Sequence, residues 1–367
     1  MAGSAPTDWT SFEVNGNPAV ILVNGIEIKY WDGTTFADLG GNPPKGKYIT
    51  NDVSRVFIAK DDYIYFCAFQ DAQDWSSAEN SGFVQYYTAN GGPITALKAF
   101  KDVKYIWKKD SFAGIYGVSY YDFRIMNISD SIGCVNYKTV QEVNGVLIWL
   151  AQQGIYAFTQ GNPVEIGDKV SGFFNRINWS AINTACAFSD GLRYYLNLPL
   201  DSSATPNIRL VYDTRYGKWR VCAYDEGFQA GTIFNRQIYA MNTTGRVYAV
   251  NSGTTDDGAV IPWSLTSKAF DEGISEAEKE YKEIHFQGDF SQTQSMSIAI
   301  STEDRGTSFT TLSYDPLAFG TTAQNKNVII PLDTTPLTNW MRYRLSGTGP
   351  ATFYRVQRYF RVCRVQH

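Results

Sequence analysis

Apolar and polar positions along this chain fall into short runs that meet in pairs across tight polar turns. A two-residue turn between apolar flanks recurs at Asn24-Gly25, Asp61-Asp62, Lys101-Asp102, Asn144-Gly145, Asp190-Gly191 and Asn235-Arg236. The first residues of successive turns lie 37, 40, 43, 46 and 45 positions apart. The flanks, such as Ala19-Val20-Ile21-Leu22-Val23 before the first turn and Val146-Leu147-Ile148-Trp149 after the fourth, are rich in β-branched and aromatic residues. That composition suits half-buried strands. Asn-Gly and Asp-Gly accept positive φ and favour a hairpin turn. The pairs Ile115-Tyr116, Ile155-Tyr156, Val211-Tyr212 and Val247-Tyr248 add a third strand in four units. A fourth is expected at Lys218-Trp219-Arg220-Val221 and at Val260-Ile261-Pro262-Trp263. Four strands repeating every 40–45 residues predict a β-propeller of about six blades over residues 1–270. A β-sandwich pair and a strand solenoid are the structural rivals, and a seventh, degenerate blade stays open. The stretch through Trp9, Phe12 and Val14 is expected to pair with residues near 260–270 and close the ring.

The pattern changes after residue 270. Residues 271–283, with Glu272, Glu276, Glu278, Lys279, Glu280, Lys282 and Glu283, read as a charged linker or short helix. Alternation resumes in Ser295–Ile300, Asn327–Ile330 and Met341–Leu345, which predicts a small antiparallel β-sandwich over 284–367. The fold class expected is therefore all-β, a propeller followed by a sandwich.

Charge and composition narrow the function classes. The 367 residues carry a net charge of −4, too little basic excess for a dedicated nucleic-acid binder. The excess is uneven: residues 284–367 are about +3 and the remainder about −7. Cys67, Cys134, Cys186, Cys222 and Cys363 are odd in number and widely spaced, so reduced thiols are expected, with no zinc or iron–sulfur site. The N-terminal residues lack the basic and apolar regions of a secretory signal, and no apolar run is long enough to span a bilayer. The sequons at Asn127, Asn178 and Asn242 are accordingly expected to carry no sugar.

Catalytic material is sparse. The two histidines are His285, in a strand-like run, and His367, the last residue. They leave a Ser–His–Asp triad or a histidine metal site little to use. Thr302–Phe309 resembles one Asp-box, a turn device in which the aspartate accepts amide hydrogens. Carboxylates are abundant, so a glycosidase pair is not excluded by counting. A glycan-active propeller would gather Arg, Asp, Glu and Trp near its central opening, whereas the inner strands are expected to carry Ile, Val, Phe and Ala with few charges. No catalytic residue, cofactor or metal ligand is assigned, and the chain is expected not to be an enzyme.

Arg355, Arg358, Arg361 and Arg364 close the chain at intervals of three. On a strand, Arg355 and Arg361 share one face and Arg358 and Arg364 the other. They either solvate an edge strand or dock an acidic neighbouring subunit through planar guanidinium groups; DNA phosphate contact is a third reading.

Residues 94–170 carry a resemblance. Ile94–Asp102, Tyr105-Ile106-Trp107, Ile132-Gly133-Cys134-Val135, Val140–Leu150 and Gly154-Ile155-Tyr156-Ala157-Phe158, with Val211-Tyr212-Asp213 and Gly217-Lys218-Trp219 downstream, are similar to the β-propeller proteins of tailed-bacteriophage virions. The resemblance implies a non-enzymatic hub, nozzle or adaptor between portal and tip. It implies a homo-oligomeric ring of six or twelve copies, docked to other tail or portal proteins, with genomic DNA passing through the channel. The protein would be made in the host cytoplasm, reside in the virion tail and insert in no membrane. The rival reading is a glycan-binding or glycan-cleaving propeller, a depolymerase or lectin. A cytosolic peptide-binding platform is the third.

Overall fold

Every sheet in the first part of the chain is antiparallel and joins its strands in chain order. The computed structural model describes residues 7–365 apart from 53, 90, 224–226, 254, 257, 291–294, 304–307, 313–325 and 333–334. The chain divides into two units, Met1–Asn251 and Ser252–His367.

The first unit is a β-propeller of six consecutive blades. Blade one is Asp8–Val14 (β1), Asn17–Val23 (β2), Ile28–Trp31 (β3) and Phe36–Asp38 (β4). Blade two is Tyr48–Asn51 (β5), Val56–Lys60 (β6), Tyr63–Phe66 (β7) and Gly82–Gln85 (β8). Blade three is Ala96–Phe100 (β9), Val103–Trp107 (β10), Phe112–Tyr116 (β11) and Arg124–Ser129 (β12). Blade four is Gln141–Val143 (β13), Val146–Leu150 (β14), Ile155–Phe158 (β15) and Val164–Glu165 (β16). Blade five is Cys186–Ser189 (β17), Arg193–Leu198 (β18), Ile208–Asp213 (β19) and Lys218–Ala223 (β20). Among the described residues blade six has three strands, Phe228–Phe234 (β21), Gln237–Asn242 (β22) and Val247–Val250 (β23). First strands of neighbouring blades lie together, β1 on β5, β5 on β9, β13 on β17 and β17 on β21, so they form the inner edge.

Blades pack face to face because their middle strands are apolar on both sides. In β6, Val56 and Ile58 pack toward blade one, and Phe57 and Ala59 toward blade three. A continuous apolar run is what such double burial requires. Among the described residues this unit has five hydrophobic cores, each shared by consecutive blades from one-with-two through five-with-six. None joins blade six to blade one. The aromatic centre lies between blades three and four, where Trp107 and Trp149 are fully buried with ring centroids 5.4 Å apart.

Among the described residues, the expected pairing of the N-terminal stretch with residues near 260–270 is not made. Trp9, Phe12 and Val14 belong to β1, which pairs with β2 from Asp8↔Val23 to Val14↔Asn17. Residues 262–266 pair within the second unit, so Val260–Trp263 is not a fourth strand of blade six.

The second unit holds a hairpin, Thr255–Asp256 (β24) with Ala259–Val260 (β25), and two antiparallel sheets. Its other strands are Pro262–Thr266 (β26), Ala277–Asp289 (β27), Ser295–Ser301 (β28), Thr310–Thr311 (β29), Lys326–Pro331 (β30), Arg342–Thr348 (β31) and Thr352–Val365 (β32). The sheets β26-β31-β28-β29 and β30-β27-β32 enclose one core, with Tyr281, Ile284 and Phe286 of β27 packed among Ile298, Ile300, Tyr343 and Leu345. This is a β-sandwich, and it starts earlier than expected: the division falls at 251/252, not near 270. The expected linker at 271–283 runs into β27. Its charges belong to a strand with one polar face, since Ala277, Lys279 and Tyr281 are buried between more exposed neighbours. Lys279 is tolerated there because its ammonium donates to the carbonyl oxygens of Ile274, Ala277 and Asn339 at 2.6, 2.9 and 3.1 Å. The Asp-box stretch lies partly outside the described residues.

Candidate functional site

The inner edges of all six blades line one cavity of about 640 Å³. It receives Asp8–Ser11 from β1, Ile49–Asn51 from β5, Leu97 and Lys98 from β9, Gln141 and Glu142 from β13, Phe188 and Ser189 from β17, and Gly231–Ile233 from β21. Tyr137 and Lys138, from the 3-10 turn Tyr137–Thr139 ahead of β13, complete the wall. The inner strands carry four charged residues, Asp8, Glu13, Lys98 and Glu142, and three of them, Asp8, Lys98 and Glu142, line the cavity. Lys98 follows buried Leu97 and Glu142 precedes buried Val143, so alternation leaves both on the cavity side, whereas Asp8 stands beside the exposed Trp9.

Asp8 is held most tightly. Its Oδ2 accepts the Ile49 N–H at 2.9 Å and its Oδ1 the Trp9 N–H at 3.0 Å. Burial pushes its carboxyl up to about 6, against the pull of these amides and of the Lys98 charge. Nearby, Thr10 Oγ1 donates to Asn51 Oδ1 at 2.5 Å, joining blades one and two. Tyr137 OH donates to the Thr7 carbonyl at 3.1 Å, which ties the entry to blade four to the start of blade one. Burial raises the Tyr137 phenol above the ordinary tyrosine value. A polar cavity with a shifted carboxyl can bind a small polar ligand. Among the described residues no cluster of His, Cys, Asp or Glu is arranged to hold a metal ion.

Of the motifs behind the phage resemblance, Leu97, Lys98, Val140, Gln141 and Glu142 line this cavity, and those around Gly133 and Trp149 build the junction of blades three and four. Gly133 passes so near the backbone of Lys108 and Lys109 that a Cβ would meet the Lys108 oxygen at 2.2 Å. Trp149 Nε1 donates to the Gly133 carbonyl at 2.8 Å, and Cys134 N–H to Lys108 O at 2.9 Å. Asn136 Nδ2 reaches the carbonyls of Ile182 and Ala185 at 3.0 and 2.8 Å, fastening blade four to the segment entering blade five.

The four arginines are placed differently from one another. Arg355 and Arg361 are exposed; Arg361 Nε lies 3.9 Å from Glu280 Oε2. Arg358 is turned inward, where its Nε and a terminal nitrogen donate to Glu272 at 2.6 and 3.2 Å. Its guanidinium stacks 3.7 Å from the Phe270 ring centroid. Arg358 is thus engaged inside its own sandwich. Arg364 stands opposite Glu278 in the ladder, and its side chain lies outside the described residues. His285 sits 2.7 Å from Glu283 and against Tyr359, away from any assembled catalytic group.

A second surface was not anticipated. Trp9, Val20, Leu22, Trp31 and Phe36 share the face of blade one turned away from blade two and line an open apolar depression. The alternation of Trp9 with buried Thr10, and of Leu22 with buried Ile21 and Val23, was the available signal.

No protein-family model matches the chain, and no curated protein does. Solved β-propeller structures are similar to it. BamB from Moraxella catarrhalis is 12% identical, with 67% of this chain and 70% of that one covered and a TM-score of 0.44. Hsv2 from Kluyvelomyces marxianus is 10% identical, covering 68% and 78% at a TM-score of 0.39. The dihydro-heme d1 dehydrogenase NirN, in complex with DHE, is 10% identical, covering 91% and 70% at a TM-score of 0.41.

Proposed function

We propose that this protein is a structural component of a bacteriophage tail, a hub, nozzle or adaptor, whose copies form a ring around the DNA-ejection channel. The observation that carries the reading is the bare face of blade one, where Trp9, Trp31 and Phe36 are 57%, 49% and 52% exposed. A contiguous apolar patch rimmed by polar groups is a protein-docking surface. The residues of the phage resemblance, Trp107, Cys134, Trp149 and Tyr156, are all buried between blades three and four, as a rigid building block requires. Closed cyclic symmetry turns one heterologous interface into a ring. The acidic balance of the propeller suits a wall past which DNA slides, since it offers few cations to trap phosphates. Negative-stain images of the purified chain should show rings of six- or twelve-fold symmetry, and antibody should label the tail of the virion. A chain that stays monomeric at high concentration overturns this reading.

The axial cavity favours a second reading, a glycan-binding propeller. Trp9, Asp8 and Glu142 meet there with Lys98 and Tyr137, the mixture of ring and carboxylate that sugars use. An oligosaccharide that raises the Tm of the native chain and not of Glu142→Gln would carry it.

A further inference from the structure

We propose that the axial cavity is a dead end that receives the terminal residue of an acidic glycan, with the sugar carboxylate held by Lys98 and Lys138. The proposal rests on the glycan-binding reading above and names the class of sugar.

The axis of the propeller is partitioned. Tyr48, which opens β5, and Tyr137 stand with ring centroids 5.1 Å apart, and the Tyr137 hydroxyl donates to the Thr7 carbonyl. On one side of this partition lies the cavity of about 640 Å³. On the other, Tyr48 and Tyr137 line a separate cavity of about 300 Å³ with Asn24, Lys47 and Asn183. The larger cavity therefore has its floor at the starts of the inner strands, by Asp8 and Ile49, and its mouth at their far ends, by Asn51, Gly191 and Ile233. A polymer threaded along the axis would meet the two tyrosines, so the cavity accepts a chain end. Its volume lies in the range of small-ligand sites.

The polar groups select the ligand. Lys138 follows Tyr137 in the 3-10 turn, and the Lys98 charge pulls on the Asp8 carboxyl. Among the described residues neither lysine forms a salt bridge, which leaves two ammonium donors for an anionic oxygen. Glu142 shares the space; it accepts from sugar hydroxyls and opposes a more highly charged ligand such as phosphate. Trp9 supplies an apolar surface for a sugar ring.

Asp8 makes the site pH-dependent. Facing it are Lys98 of β9, Tyr48 of β5, Tyr137 and Lys138 of the turn, and Glu142 of β13. Burial keeps both phenols neutral. With its carboxyl titrating near 6, Asp8 is mostly protonated at pH 5.5, and Lys98 and Lys138 then face Glu142 alone. At pH 7.5 the Asp8 charge occupies Lys98 and repels the ligand. Binding of a carboxylate therefore takes up a proton.

Isothermal titration calorimetry of the full chain with D-glucuronate, D-glucose and acetate, at pH 5.5 and 7.5, tests this. D-Glucuronate should bind at pH 5.5 and about tenfold more weakly at pH 7.5, with a buffer-dependent heat that reports proton uptake. D-Glucose and acetate should each bind about tenfold more weakly than D-glucuronate at pH 5.5. Lys98→Gln, checked for an unchanged Tm, should lose the preference for D-glucuronate over D-glucose. Asp8→Asn should keep that preference and lose the pH dependence. D-Glucose that binds as well as D-glucuronate, or a folded Lys98→Gln that binds D-glucuronate as the native chain does, overturns the acidic class and leaves the glycan reading standing. Acetate that equals D-glucuronate marks a plain anion site and overturns the proposal. Binding of neither sugar at either pH overturns both the proposal and the glycan reading.

Discussion

Asp8 shows how one residue can tie the fold to the axial cavity. Its carboxyl titrates near 6 in the folded chain, whereas an ordinary aspartate titrates near 3.8. The raised value means that the folded state holds its proton longer than the unfolded state. Stability therefore falls as pH rises from about 4 to about 6 and is flat above that. Asp8→Asn keeps an acceptor for the Ile49 amide and cannot ionise. It should match the native chain near pH 3.5 and exceed it by about 1–3 kcal/mol at pH 7. Urea unfolding at both pH values checks this; equal stability of the two chains at pH 7 would remove the argument. Asp8 was not legible as a site residue, because nothing in Thr7-Asp8-Trp9 says that the strand will face an axis. Gly133, in contrast, was singled out within its motif, and its close approach to the Lys108 carbonyl gives that position a physical reason.

Turns explain most of what was legible at the level of elements. All six proposed turns are hairpin turns in the structure, yet they are not equivalent. Asn24-Gly25 and Asp61-Asp62 join second to third strands, whereas the other four join first to second. In blade one the first-to-second turn is Asn15-Gly16, with φ of 54° and 76°. The polar residues Asp8, Thr10, Ser11 and Glu13 interrupt the apolar run of β1 and hid it. In blade two the equivalent segment is 52–55, where the Asp52 carboxylate accepts the N–H groups of Ser54 and Arg55 and replaces the glycine signal with a side-chain cap. Lys101 and Asp102 do without glycine altogether, at φ of 48° and 63°. Each left-handed residue with a Cβ costs about 1–2 kcal/mol. The next blade meets the same geometry with Asn144-Gly145, at 52° and 73°. Changing Lys101-Asp102 to Asn-Gly should therefore stabilise the chain by about 1 kcal/mol net of the lost Lys101–Phe100 contact, moving Tm up by about 2–4 °C. A calorimetric scan decides it, and an unchanged or lowered Tm would show that this turn holds no strain worth relieving.

At the scale of the molecule, blade number was legible and ring closure was not. The period reports how many sheets the chain can form. Closure depends on which faces meet, and an apolar strand such as β2 reads the same whether its outer face is covered or bare. The domain boundary was obscured for a related reason: Val260–Trp263 has a strand's composition and is claimed by β31 of the sandwich. Blades whose hydrophobic cores, among the described residues, are shared with consecutive neighbours resemble a short one-dimensional stack, in which the end blades carry one shared core and the inner blades two. Hydrogen exchange should follow that order in dilute solution. Amides of β10, β11 and β14, around Trp107, Phe112 and Trp149, should exchange slowest, and those of β2 and β22 fastest among the middle strands. Raising the concentration should then slow exchange in β2 and leave β14 unchanged, because association through the exposed face of blade one covers β2 and not the buried junction of blades three and four. Protection that is uniform across all six blades at low concentration would mean that the stack closes on itself. Exchange in β2 that does not change with concentration would mean that copies do not meet through the tryptophan face.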